Sequence, residues 1–140
     1  MNILNVPIAE VMTTEVITVK PSQKLVDIKH IFEKRNFHHH IPVAENGKLK
    51  GMISLIDFLF AIKNATLNDN ENVYHEMLAR DVMREHPVTI TPDRSLKDVC
   101  EILAKGDVHA IVVCDKDYIK GIVSTADIIR YVLNTNAVET

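Results

Sequence analysis

The chain has no tryptophan, and three tyrosines and four phenylalanines leave aromatics at 5% of 140 residues. That scarcity argues against a surface on which nucleobases stack in succession. Neither sign of charge dominates: 16 Lys and Arg stand against 19 Asp and Glu, interspersed, for a net charge of −3. A nucleic acid or an anionic membrane is therefore offered no cationic field. The two cysteines, Cys100 and Cys114, form no C-x-x-C motif and suggest no disulfide framework. Glycine is as scarce: Gly47, Gly51, Gly106 and Gly121 make neither a P-loop nor a G-x-G-x-x-G turn. No Ser-His-Asp order is present and neither cysteine has an activating neighbour, so the chain is not expected to be an enzyme. The start lacks a basic segment leading into a sustained apolar run, and no apolar run approaches a bilayer's thickness. The expectation is a cytoplasmic protein that engages neither membrane nor nucleic acid.

What is present instead is a duplication. Val11-Met12 is answered by Val82-Met83, and Thr18-Val19-Lys20-Pro21 by Thr89-Ile90-Thr91-Pro92. Leu25 to Phe32 is answered by Leu96 to Leu103, all of these 71 positions apart. One residue is then dropped and the match resumes at an offset of 70. His39-His40-Ile41-Pro42-Val43 faces His109-Ala110-Ile111-Val112-Val113, and Gly51 to Asp57 faces Gly121 to Asp127. A long period present only twice is not a solenoid. It predicts two copies of one small unit, paired about a pseudo-twofold axis. A lone copy would have a marginal core, so a shared core is expected.

Each copy carries the same order of signals. A short amphipathic turn, Ile8 to Met12 or Ala79 to Met83, leads to a β-branched run, Val16 to Val19 or Val88 to Thr91, which Pro21 or Pro92 closes. Leu25, Ile28, Ile31 and Phe32 then fall at helical spacing, as do Leu96, Val99, Cys100 and Leu103. Ser95 with Asp98 marks the second helix start; the first copy has Lys24 in place of a capping residue. Two short strands follow, around Asn46-Gly47 in one copy and Lys116-Asp117 in the other. A last helix begins near Ser54 and near Ser124. The fold class is α/β (α+β), two β-α-β-β-α repeats over residues 7–62 and 78–133, with a linker at 63–77 and a flexible tail at 134–140.

This order resembles a tandem pair of CBS domains, a Bateman module. The resemblance rests on the T-x-P-like passages after the opening strands, the H-H-I-P-V strand and the G-h-h-S-x-x-D entry to the last helix, h being apolar. It covers roughly residues 7 to 133. It implies a regulatory module with two related clefts that bind adenosine compounds: AMP, ADP, ATP or S-adenosylmethionine. No cofactor is required.

Ser54-x-x-Asp57 and Ser124-x-x-Asp127 are helix starts on local grounds: a serine N-cap and an acid in the first turn. The same place suits a ligand. A helix N-terminus offers amides to phosphate, and a carboxylate can accept both hydroxyls of a ribose diol. The resemblance implies that Asp57 and Asp127 hold ribose, with Ser54 and Ser124 beside it. It groups Asp127 and Ser124 with Thr13, Thr18 and the His38-His39-His40 strand. It groups Asp57 and Ser54 with Arg84, Thr89 and Val108-His109-Ala110. Ile17, Ile41, Ile53, Val88, Ile111 and Ile122 would wall the adenine, although core packing explains any one of them as well. The resemblance further implies that His39 and His40 reach phosphates in the Asp57 cleft, where His109-Ala110 supplies one imidazole fewer to its counterpart. With Arg84 against Thr13, the Asp57 cleft is expected to be the more cationic and to prefer ADP or ATP.

Two other readings remain open. On a strand, His38 and His40 share a face and could touch a transition metal, but a firm site needs three or four ligands, so no metal site is expected. The chain could also be an interaction module with no physiological ligand. Either way the apolar stripes of the last helices predict a homodimer, and a regulated partner protein is implied without being named.

Overall fold

The structure is a computed structural model that describes residues 2–34 and 39–139, excepting the side chains of 136–139. The chain condenses into two compact units. One is the uninterrupted stretch Ile17–Pro87; the other joins Met1–Val16 to Val88–Thr140.

In the uninterrupted unit, α1 (Leu25–Phe32) buries Leu25 and Ile28 and starts at Lys24 without a side-chain cap. β1 (His40–Glu45) and β2 (Lys48–Ser54) form an antiparallel pair. Their turn is Asn46-Gly47, with φ of 55° and 81°, the left-handed conformation that Asn and Gly adopt at least cost. α2 (Leu55–Ile62) follows directly and buries Phe58 and Ile62. It stops at Lys63, whose φ is 52°.

The stretch read as a linker is built into this unit. α3 (Val73–Glu76) delivers Tyr74 to the core at 0% exposure. The Tyr74 ring stacks on Phe58 at 6.2 Å, and its hydroxyl donates to the Thr66 carbonyl at 2.5 Å. α4 (Ala79–Val82) and β3 (Arg84–Glu85) complete the unit, β3 pairing antiparallel with β2. The expected strand at Val16 to Val19 shrinks to one parallel bridge, Val19 to Val43, because only Val19 reaches β1 before Pro21 turns the chain away.

The second unit repeats the plan. β4 (Thr89–Ile90) runs parallel to β5 (Ala110–Asp115), which pairs antiparallel with β6 (Tyr118–Ser124). α5 (Leu96–Ala104) buries Leu96 and Val99 and is capped by Ser95, whose Oγ accepts from the Asp98 amide at 3.1 Å. α6 (Thr125–Glu139) continues as helix through the region expected to be a tail. The first residues of the chain close the unit. Thr13 and Ile122 exchange two backbone hydrogen bonds of 2.8 and 2.9 Å, and Ile8 is wholly buried.

The opening segments are thus exchanged. The first repeat's opening turn lies on β6 of the second repeat, and the second repeat's opening turn, through β3, lies on β2 of the first. Two glycines record the crossings. A Cβ on Gly121 would stand 2.6 Å from Met12 Sδ and 2.8 Å from the Thr13 carbonyl; on Gly51 it would stand 2.6 Å from Met83 Sδ and 2.8 Å from the Arg84 carbonyl. Each unit has a buried cluster of its own. One gathers around Leu25, Ile41, Ile53 and Tyr74, the other around Ile8, Leu96, Ile111 and Val123. The exchanged segments, together with Tyr74, enlarge each unit beyond its repeat.

Candidate ribose-binding carboxylates

The exchange sets the environment of both aspartates. At the start of α2, the Asp57 amide donates to Ser54 Oγ at 3.1 Å, and the Ser54 amide donates to Asp57 Oδ2 at 3.0 Å. This reciprocal cap follows from the S-x-x-D spacing. β3 then brings Arg84 alongside, where its Nε donates to Asp57 Oδ1 at 3.0 Å. The Asp57 side chain is only 11% exposed, whereas the Arg84 side chain is 77% exposed. Burial pushes the Asp57 carboxyl up, but the hydrogen bonds from Ser54 and the Arg84 guanidinium outweigh it and hold the group below the usual carboxylate range.

Asp127 has the same cap at the start of α6. The Ser124 amide donates to Oδ2 at 2.8 Å, the Ser124 hydroxyl donates to Oδ2 at 3.0 Å, and the Asp127 amide donates to Ser124 Oγ at 3.3 Å. Thr13, carried in by the exchanged opening segment, donates its hydroxyl to Oδ1 at 3.2 Å. Arg130 Nη2 donates to the same oxygen at 2.7 Å. The carboxylate is 6% exposed and the guanidinium-bearing side chain 59%.

The structure therefore brings Asp57, Ser54 and Arg84 together in one unit, and Asp127, Ser124 and Thr13 in the other. Arg130 was not foreseen. Counting Arg84 against Thr13 gives one arginine at Asp57 and none at Asp127; the structure puts one at each. The signal was available, since Arg130 follows Asp127 by three positions, a spacing that makes neighbours on a helix.

The remaining candidates divide by place. His40 lies opposite Ser54 in the strand register, the His39 carbonyl accepts from the Leu55 amide at 2.8 Å, and Ala110 lies opposite Ser124. His38 lies outside the described residues. Thr18 is exposed in the uninterrupted unit; Thr89 and His109 are exposed in the other, where Val108 is half-buried. Ile17 and Val88, at matching positions, are exposed apolar side chains at 44% and 41%. Ile53 is a correction: at 0% exposure in the core it offers a ligand no surface, and the same holds for Ile41 and Ile111. Ile122 retains 7%.

The histidine run does not carry the metal-like grouping found among the described residues. That grouping is His30, Glu33 and Asp69, whose ligand atoms lie within 4.8 Å of one another. A cation already serves it. The buried Lys29 ammonium lies 2.8 Å from Asp69 Oδ1 and 3.1 Å from Glu33 Oε1. The Asp69 hydrogen bond, opposed by burial and aided by Glu33, raises the Lys29 pKa.

No helix among the described residues is long and apolar enough to cross a membrane. A protein of Methanocaldococcus jannaschii is 33% identical over 128 residues, 91% of this chain and 44% of its own length. A second from the same organism is 26% identical and is covered over 47% of its length, so the chain spans about half the length of these relatives. Among solved structures, a Vibrio cholerae protein assigned to acetoin utilization (AcuB) superposes with a TM-score of 0.83 at 25% identity, covering 97% of this chain and 96% of its own. CBSX2, an Arabidopsis thaliana CBS-pair protein crystallised with AMP, superposes with a TM-score of 0.77 at 20% identity over 93% of this chain and 98% of its own. The CBS domain pair of protein MJ0100, in complex with 5′-methylthioadenosine and S-adenosyl-L-methionine, gives 0.75 at 21% identity over the same shares, 93% and 98%. The CBS domain model itself matches residues 8–64 and again 79–134. With both copies matched and their order of elements on view, the chain belongs to the CBS domain family.

Proposed function

We propose that the chain is a regulatory module that binds an adenosine compound and passes its occupancy to a partner protein. AMP, ADP, ATP and S-adenosylmethionine are the candidates. The observation that carries this reading is a nearly buried carboxylate at a helix start in each unit, with an exposed arginine on it. A carboxylate so placed can accept the paired hydroxyls of a ribose. The helix-start amides and the exposed guanidinium of Arg84 suit phosphate, and exposed Ile17 and Val88 suit an adenine face. The ligands crystallised with CBSX2 and with MJ0100 share an adenosine moiety, which supports the same class here. Binding regulates only if the ligand prefers one conformation or assembly over another.

A second reading is favoured by an exposed apolar helix face in each unit. α2 exposes Ile56, Leu59 and Phe60 at 60%, 49% and 76%, and α6 exposes Ile129 and Leu133 at 54% and 63%. Apolar residues at helical spacing on an exposed face suit a helix-to-helix interface. We place a homodimer there; the module could use that interface with no ligand at all.

A thermal-shift panel, followed by calorimetry, separates the two. A ligand that binds only the native state raises the melting temperature by mass action. AMP, ADP, ATP or S-adenosylmethionine should do so at millimolar concentration, and Asp57→Asn with Asp127→Asn should abolish the shift. No shift with any of the four favours the interaction module, and a shift with zinc or nickel alone points to the histidines.

A further inference from the structure

The two carboxylates differ in how many hydrogen bonds they already accept. A carboxylate offers about four acceptor directions, two on each oxygen. Among the described residues, Asp57 Oδ1 receives one donor, Arg84 Nε, while Ser54 serves the carboxylate through both its amide and its side chain. One direction remains on Oδ1, open to a ribose hydroxyl. Asp127 receives two donors on each: the Ser124 amide and hydroxyl on Oδ2, and Thr13 Oγ1 with Arg130 Nη2 on Oδ1. Its acceptor capacity is spent within the unit.

Among those four donors, Arg130 is the one built to leave. The Ser124 donors belong to the cap of α6, and Thr13 is fixed by its backbone pairing to Ile122. Arg130 is 59% exposed, one turn along α6, and makes the shortest of the four contacts through a flexible side chain. The matching position of the other repeat, 70 residues earlier, is Phe60, which has no donor to offer.

We propose that Arg130 is an intramolecular competitor for the ribose hydroxyls at Asp127. This rests on the reading that Asp127 holds ribose. The closed arginine occupies the acceptor that a diol needs, so a ligand must displace it. Asp57 can accept a ribose hydroxyl on Oδ1 as it stands. The second site therefore fills at higher concentration than the first, and two carboxylates of the same S-x-x-D motif give a graded response to one ligand. Arg84 plays no such part at Asp57, because it leaves one direction free on Oδ1.

The test is calorimetric titration of the full chain with AMP and with adenosine. Asp57→Asn, which keeps the shape of the helix cap, isolates the Asp127 site. Adding Arg130→Met to that variant should tighten both probes about three- to fivefold, the scale of one exposed ion pair. Arg130→Lys, which keeps a donor, should tighten them less. An unchanged affinity overturns the proposal. So does weaker AMP binding with adenosine unmoved, which would make Arg130 a phosphate ligand. Binding that occurs at Asp57 but never in the Asp57→Asn protein, with or without Arg130→Met, overturns this inference alone. No binding of either probe to the wild type or to any variant overturns the functional reading and this inference together.

Discussion

Lys29 is buried at 4% exposure, and its ammonium stands 2.8 Å from Asp69 Oδ1 and 5.7 Å from the centre of the Tyr74 ring. This contact fastens the stretch between the repeats to α1. The Lys29 hydrogen bond, with His30 adding to it, holds the Asp69 carboxyl below its usual range. A buried cation that loses a partner is worse off than a site with no cation. Asp69→Asn should therefore lower the melting temperature more than Lys29→Met does. Thermal denaturation of the two variants checks the order; the reverse order would mean that the lysine stem, and not the charge, matters.

Acid should act through Asp57. Its folded pKa lies below the unfolded carboxylate value of about 3.9, so its contribution to stability is present above that value and is lost as pH falls through the lowered one. Arg84 is one source of the lowering. Arg84→Met should be less stable than wild type at neutral pH, and the gap should close in strong acid. Urea midpoints measured from pH 7 downward follow it; a gap independent of pH would dissociate Arg84 from the charge on Asp57.

Gly121→Ala should destabilise the chain by about 1–3 kcal/mol, the usual scale of overpacking. The new Cβ meets Met12 Sδ at 2.6 Å and the Thr13 carbonyl at 2.8 Å. The thioether can move aside and the carbonyl cannot, because Ile122 is bonded to it. Met12→Ala should thus relieve only part of the cost. A double-mutant cycle in urea measures this coupling, and strict additivity would show that the two residues do not meet.

α1 is short of a cap that α5 has. Lys24 has an extended backbone, φ −74° and ψ 153°, close to that of Ser95 at −79° and 157°, and Asp27 already occupies the position of Asp98. Lys24→Ser should stabilise the protein by about 0.5–1 kcal/mol, the typical worth of an N-cap. An unmoved denaturation midpoint would show that the α1 amides are satisfied in another way.

Phe60→Glu puts a charge in the centre of the exposed stripe on α2, at the position with 76% exposure. Sedimentation of the wild type should give a dimer and of the variant a monomer, with the melting temperature of the folded unit little changed. A wild type that remains monomeric at every concentration removes the homodimer from the proposed function.

The repeated elements were legible wherever a regular period met a buried face. Leu25 and Ile28 mark α1, Leu96 and Val99 mark α5, and both are buried as their spacing implies. The S-x-x-D starts were legible because a cap is local: four residues determine it. What escaped depends on tertiary neighbours. Tyr74 sits in a polar stretch with no period, and its burial depends on Phe58 of α2, on which its ring stacks, and on α1, whose Lys29 lies over it. The Val16 to Val19 run has strand composition, yet its single bridge to β1 is all the paired length available. Ile53 has the composition of either a core or a pocket wall, and only three-dimensional packing assigns it to the core. Arg130 was legible by spacing, but a charge on an exposed helix face resembles many others until its partner is found.

The exchange of opening segments also sets an order of assembly. The unit from Ile17 to Pro87 is complete in one uninterrupted length of chain, so it can close while the rest is still being synthesised. Thr13 has no such option. Its partner Ile122 is made more than a hundred residues later, and until then the stretch that carries Thr13 must wait without a strand to join. The stretch before Ile17 is placed after the unit that follows it in the chain, and a defect near Met12 would surface as a failure of the unit that holds Ile122.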